Sequence, residues 1–248
     1  MNPPYINNIN VLVLAAGKSQ RIQEIAKGLP KPLINISGIS VLEKNLLHLI
    51  SQGVSNIWIN LHFRSELIKS AVEEMHLKAN INYSYEVDIL GTAGAVRHLQ
   101  SKINGPLLVV YGDSLINFEL PRLIMEHINS GTKITMAVYD RKISIHTGIA
   151  GGGVDVDQEN NVISFTEGGY HPESILVNAG IYLINSEIID LIPKAKFYDF
   201  SMDLFPSLLK KKIQIKTYKF NQNEYCLGID TPEHFYVAKK YAKEGLLK

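Results

Sequence analysis

Residues 9–15 form an almost unbroken apolar run that closes in Ala16-Gly17. This is how a buried parallel strand reads when a functional loop follows it. The pattern then alternates. Residues 40–51 carry a helical apolar period (Val41, Leu42, Leu46, Leu47, Leu49, Ile50) behind Ser40 as N-cap and before Gly53 as a stop. Strand-like residues 54–60, 81–85, 107–111 and 133–139 are separated by helical stretches at 66–75, 93–100 and 121–129. Such β-α-β-α order predicts a mostly parallel, doubly wound sheet.

The second half changes character. Asp157-Gln158-Glu159-Asn160-Asn161 stands between two alternating segments, a hairpin signal over 154–165. Further strands are expected at 176–184, 214–220 and 225–229, with helices near 186–192, 201–209 and 231–243. This half should extend the sheet with antiparallel pieces and cover a substrate cleft. The expectation is one domain of two lobes over 1–248, with 1–8 a loose leader. No hexapeptide-repeat β-helix follows the last helix, so no fused acyltransferase half is expected.

Composition narrows the function. With 46% apolar and 20% charged residues and a formal net charge of +1, the chain can build a sizeable core and shows no excess charge for a polyanion. The one basic cluster, Lys210 to Lys212 with Lys216 and Lys219, reads as a solvated helix end. Neither nucleic acid nor membrane is an expected partner. A single cysteine, Cys226, excludes an internal disulfide and reads as buried filler. The first apolar run lacks a preceding Lys or Arg and is far too short to span a bilayer, so a cytoplasmic protein is expected. A homo-oligomer is compatible with the sequence.

In open α/β sheets ligands bind beyond the carboxyl ends of strands. After the first strand comes Gly17-Lys18-Ser19-Gln20-Arg21, then Gly28-Leu29-Pro30-Lys31-Pro32. A P-loop fails because Leu12 stands where its first glycine belongs, and the dinucleotide fingerprint fails at Ser19. What remains is a small-residue turn whose N–H groups can reach phosphate, followed by Arg21 and Lys31, which suit convergence on a triphosphate. A turn with two exposed cations reads the same way. After the strand at 107–111 comes Gly112-Asp113-Ser114: a carboxylate behind a glycine that lets a ligand approach, suited to magnesium, or else a turn or capping aspartate. Leu90-Gly91-Thr92-Ala93-Gly94 opens a helix with small residues that can admit a base or phosphate closely.

Leu14-Ala15-Ala16-Gly17 through Arg21, then Pro30-Lys31-Pro32-Leu33, resembles the signature of the sugar-1-phosphate nucleotidylyltransferases. Leu90 to Ala95, Gly112-Asp113, Phe165-Thr166-Glu167, Asn178-Ala179-Gly180-Ile181-Tyr182 and Asp230-Thr231-Pro232-Glu233 follow in the family's order, over about residues 9–240. The resemblance implies a three-layer α/β/α Rossmann-like sandwich with a smaller antiparallel sugar-binding lobe. It implies transfer of a nucleoside monophosphate from a nucleoside triphosphate to a sugar 1-phosphate, with Mg2+ and release of pyrophosphate. Leu14, Ala15, Ala16 and Gly17 would contact the nucleotide, and Gly91 and Thr92 would lie near the base. Arg21 and Lys31 would hold phosphates, and Asp113 and Asp230 the metal. Gly112, Glu167, Asn178 and Gly180 would face the sugar. Lys31→Met is expected to cost turnover far more than stability.

Three departures stand out. Ser19-Gln20 replaces the usual Gly-Thr before the arginine. Glu167 is followed by Gly168 rather than a phosphate-binding lysine, with Lys194, Lys196, Arg141 or His146 as substitutes. The second metal aspartate falls at Asp230, two residues later than in many sugar-nucleotide members; residues two apart on a strand share a face. The Leu-Gly-Thr-Ala-Gly motif leans towards guanylyltransferases of hexose or heptose 1-phosphates. The alternatives are a cytidylyltransferase for phosphocholine or a polyol phosphate, and an inactive nucleotide-sugar-binding module. A Rossmann-like dehydrogenase lacks its glycine fingerprint. The eight histidines show no metal-ligand spacing.

Overall fold

In the computed structural model the described residues are 9–17, 20–148, 152–167 and 175–247. The leader 1–8, Lys18, Ser19, Gly168 and His171 lie outside them.

The chain opens with β1 (Asn10–Leu14), the short α1 (Gln23–Ala26), a hairpin of β2 (Asn35–Ile36) and β3 (Ile39–Ser40), and α2 (Val41–Ser51). The Ser40 hydroxyl accepts the Glu43 amide at 3.1 Å, the N-cap read from the sequence. Then come β4 (Asn56–Leu61), α3 (Ser65–Glu74), β5 (Asn80–Tyr85), α4 (Gly91–Leu99), β6 (Leu107–Tyr111), β7 (Ser114–Asn117), α5 (Leu120–Ser130) and β8 (Ile134–Asp140). The second half supplies β9 (Gly153–Val156), β10 (Val162–Thr166), β11 (Leu176–Ile184) and α6 (Ser186–Ile189). A π-helical turn (Phe200–Leu204) leads into α7 (Phe205–Lys210), followed by β12 (Lys216–Lys219), β13 (Tyr225–Gly228) and α8 (Pro232–Lys243).

Strands β6, β1, β4 and β5 pair in that order, all parallel. The chain moves outward from β1 to β4 and β5, then returns to β6 on the other side of β1. That reversal is a topological switch point, and the crevice beyond the ends of β1 and β6 is where ligands bind in such sheets. Antiparallel strands extend the sheet past β6, through β11, β8 and β9, with β10 on β9 and β12 parallel on β8.

Alternation along β1 explains the layers. Val11 and Val13 pack with Leu42, Leu46 and Leu49 of α2 on one face. Leu12 and Leu14 pack with Val96 and Leu99 of α4 and with Phe200 and Phe205 on the other. Each such buried side chain contributes about 1.5–3 kcal/mol over its exposed state, and both faces being covered gives the three-layer α/β/α sandwich expected from the sequence. A third cluster joins Ile22, Ala26 and Ile34 to Leu227, Ile229 and Phe235, fastening the first loops to the end of the chain. Lys211 and Lys212 follow α7 in the open, the solvated helix end anticipated. No helix among the described residues is long and apolar enough to cross a membrane.

Candidate active site

Two features of the fold build the centre. Strand β6 ends at Tyr111 beside the end of β1, so Asp113 lies beyond the switch point. Strand β13 then pairs antiparallel with β7, Gly228 opposite Ser114, which carries Asp230 to Asp113 from the far end of the sequence. Lys31 lies between them. Its Nζ donates to Asp113 Oδ2 at 2.8 Å and to Asp230 Oδ1 at 2.7 Å. Arg21 Nη2 donates to the same Asp230 oxygen at 3.1 Å.

The four groups differ in exposure. The Lys31 side chain is 7% exposed and that of Asp230 15%, whereas that of Arg21 is 72% exposed. Burial alone would lower the Lys31 ammonium's pKa, but the carboxylates of Asp113 and Asp230 outweigh it and the value is raised. Burial likewise works to raise Asp230, and Lys31 and then Arg21 overcome it, leaving its pKa lowered. Two cations balance two carboxylates, so the cluster has no surplus charge to offset a triphosphate. Asp113 and Asp230 offer hard oxygen donors at one point, the chemistry magnesium takes. Among the described residues no three His, Cys, Asp or Glu side chains cluster to hold an ion alone. Phosphate oxygens would complete such a shell, so the residues fit the metal.

Three hollows meet at Asp113. One, of about 440 Å³, is lined by Leu14, Ala15, Gly17, Arg21, Lys31 and Asp230. A second, of about 270 Å³, runs past Ala16, Asn60, Glu86, Gly91, Thr92 and Phe197. The third, of about 220 Å³, is lined by Glu167, Asn178, Gly180, Ser201, Cys226 and Arg21. Residues expected at the nucleotide and residues expected at the sugar thus occupy adjoining spaces with the phosphate-handling groups between them.

The third hollow owes its opening to β11. That strand pairs with β6 through Ile181 to Ile184 and with β9 through Leu176 and Val177. The exchange of neighbours falls at Asn178 to Gly180, where the pairing with β8 also shifts register. Gly180 has φ +66°, and a Cβ there would stand 2.9 Å from the Tyr111 ring, so the bulge requires glycine. Asn178 is braced within it, Oδ1 accepting the Gly180 amide at 3.0 Å and Nδ2 donating to the Tyr182 hydroxyl at 2.7 Å. Burial raises the Glu167 pKa; Ser201 opposes this by hydrogen bonding and Asp199 adds to it. Burial pushes the Cys226 thiol up to about 12, so it stays protonated and is filler, as its sequence context implied.

The structure adds to several sequence expectations. Gly112 lines none of these three hollows; a Cβ there would stand 2.8 Å from the Leu14 carbonyl, so the approach to β1 requires glycine. The start of α4 is not an open anion site, because the Tyr198 carbonyl already accepts the Ala93 and Gly94 amides at 3.0 and 2.9 Å. Gly91, at φ +76°, is glycine because a Cβ would meet that carbonyl at 2.6 Å. The Thr92 hydroxyl gives its proton to Asp199 Oδ2 at 2.7 Å and accepts the Phe200 amide at 2.9 Å. Of the candidates to replace the lysine missing after Glu167, none of Arg141, His146, Lys194 and Lys196 lines the third hollow; Arg21 is its one Lys or Arg among the described residues.

Sequence reasoning missed Asn60 and Glu86. Asn60 Oδ1 accepts the Ala15 amide at 2.6 Å and its Nδ2 donates to Glu86 Oε1 at 2.7 Å, while Glu86 Oε2 accepts the Leu90 amide at 3.0 Å. Both are buried, at 4% and 6% exposure. They sit at the carboxyl ends of β4 and β5, so the strand-end rule applied there would have found them. Tyr111 ends β6 and falls under the same rule, whereas Phe197, Asp199 and Ser201 had no such signal.

A doubly wound sheet whose switch point holds paired carboxylates and cations where three hollows meet defines a phosphoryl- or nucleotidyl-transfer class. The model of the nucleotidyl transferase family matches residues 10–241, and the chain belongs to that family. The D-glycero-alpha-D-manno-heptose 1-phosphate guanylyltransferase of Aneurinibacillus thermoaerophilus is 26% identical over 233 residues, covering 94% of this chain and 97% of that protein. The protein of the same name from Campylobacter jejuni is 28% identical over 236 residues, covering 92% and 97%. The crystal structure of HddC from Yersinia pseudotuberculosis complexed with GMP-PN superposes with a TM-score of 0.79 at 23% identity, over 94% of this chain and 99% of that one; at that identity it speaks to the fold. The family resemblance read from the sequence is borne out.

Proposed function

We propose that the chain transfers a guanylyl group from GTP to a hexose or heptose 1-phosphate, giving a nucleotide sugar and pyrophosphate. The observation that carries this is the junction at Asp113, where two cations and two carboxylates stand at the meeting of three hollows. The acceptor's phosphate oxygen forms the new bond to the α-phosphorus, and the bond to the β-phosphate oxygen breaks. The nucleophile is already an anion, so positioning and charge compensation suffice. Arg21 and Lys31 would receive the phosphates, and Asp113 and Asp230 would hold magnesium, which supplies positive charge to the triphosphate when bound.

The choice of base draws on Glu86. Its carboxylate accepts only, and guanine presents two adjacent N–H donors on one edge. The names of the two guanylyltransferase relatives agree with that reading. Glu167 and Asn178 offer polar groups to the hydroxyls of a sugar.

The test is pyrophosphate release with magnesium, each nucleoside triphosphate being paired with glucose, mannose, heptose and N-acetylglucosamine 1-phosphates and with phosphocholine. Release is expected with GTP and one sugar phosphate, falling at least about 100-fold in Asp113→Asn. Release with CTP and phosphocholine would sink the sugar reading, and silence from folded protein that still binds nucleotide would favour a binding module.

A further inference from the structure

Between Lys196 and the π-helical turn the chain borders the second hollow, and Tyr198 holds it there. The Tyr198 amide donates to the Leu90 carbonyl at 2.8 Å, and its own carbonyl takes the Ala93 and Gly94 amides. Extended backbone alternates its side chains, so a strap held at Tyr198 presents Phe197 and Asp199 together. Both line the second hollow. Phe197 is 56% exposed and joins none of the three hydrophobic clusters of the described residues, so packing in them does not account for its ring. Asp199 is fixed by its neighbours: Oδ1 takes the Ser201 and Met202 amides at 2.8 and 3.1 Å, and Oδ2 takes the Thr92 hydroxyl. An oxygen with one donor attached accepts another.

We infer that this strap is the second wall of the nucleoside site, with the Phe197 ring packed on the face of the base and Asp199 Oδ2 accepting a sugar hydroxyl. The inference deepens the proposed function and rests on its assignment of the second hollow to the nucleotide. Stacking suits the position because Glu86 can read the edge of a base but cannot hold its face, and an exposed ring on a clamped backbone is already placed for contact. Asp199 also borders the third hollow, so the hydroxyl belongs either to the ribose or to the acceptor sugar.

The test uses the intact chain. Binding of a non-hydrolysable GTP analogue is measured by titration, and KM for each substrate by pyrophosphate release. Phe197→Ala is expected to weaken analogue binding and raise the GTP KM about tenfold, the scale of a lost base–aromatic stack. The sugar-phosphate KM and the melting temperature should not move, and Phe197→Trp should restore binding. Unchanged binding in Phe197→Ala, with wild type binding normally, overturns the stack and leaves the proposed function standing. Wild type that binds the analogue but turns nothing over would defeat the proposed function, while the Phe197 effect on binding would still uphold the wall. In Asp199→Asn, a raised GTP KM assigns the hydroxyl to ribose and a raised sugar-phosphate KM assigns it to the acceptor. Neither rising removes Asp199 from the wall.

Discussion

At Lys31 one ammonium faces two carboxylates, and removing it acts on the fold as well as on the substrate. Asp230 is nearly buried, and without its partner it becomes an uncompensated charge. Asp113 is 38% exposed, so water takes up part of its loss. Lys31→Met should therefore cost about 2–3 kcal/mol in urea unfolding at pH 7, besides abolishing turnover. The deficit should shrink towards acid pH, as the orphaned, mostly buried Asp230 carboxylate takes up a proton. The expectation from the sequence is that turnover suffers far more than stability, and the geometry adds a definite stability cost to it. Sequence identified the cation and both acids, but not that the acids converge on the cation, which depends on β13 pairing with β7. Full stability of Lys31→Met at pH 7 would show that water, not the ammonium, satisfies the two acids.

Among the elements, α4 and the strap on its first turn behave as one unit. Gly91→Ala would place a Cβ against the Tyr198 carbonyl at a left-handed φ. The conformational penalty alone is about 1–2 kcal/mol, and displacing the strap adds to it, so a loss of about 2–3 kcal/mol is expected in denaturant unfolding. Analogue binding should weaken in parallel, since Phe197 and Asp199 move with Tyr198. Unchanged stability would mean that the strap lifts without cost. The strap also marks where sequence reading stops. The buried parallel strands β1 and β6 were legible because burial on both faces leaves an apolar run, and α2 because its period and Ser40 cap agree. The strap has no period, and its position comes from the backbone bonds of Tyr198 to Leu90, Ala93 and Gly94, far earlier in the chain. Short β7 and the β2–β3 hairpin escaped for a related reason: two to four residues carry too little alternation to read.

Across the whole molecule, the contact of Lys31 with Asp113 and Asp230 ties the loop after β1, the end of β6 and the segment before α8 at one point. Its electrostatics set a pH window for stability. Asp230 has a lowered folded-state pKa, so its contribution is complete above the unfolded value of about 3.9 and is lost as pH falls through the lower folded value. Lys31 has a raised folded-state pKa, so its contribution is complete below about 10.4 and is lost as pH climbs through the higher folded value. Between those limits this cluster adds no slope. Asp230→Asn removes a charge-assisted bond to Lys31 and should cost about 2 kcal/mol at pH 7. Because the wild type loses the same contribution in acid, the two unfolding curves should converge as the pH drops below about 4. A gap that stayed constant to pH 2 would mean that Asp230 stabilises the fold by shape rather than by charge. The tie between the early loops and the last elements would then rest on apolar packing such as that of Ile22, Leu227 and Phe235.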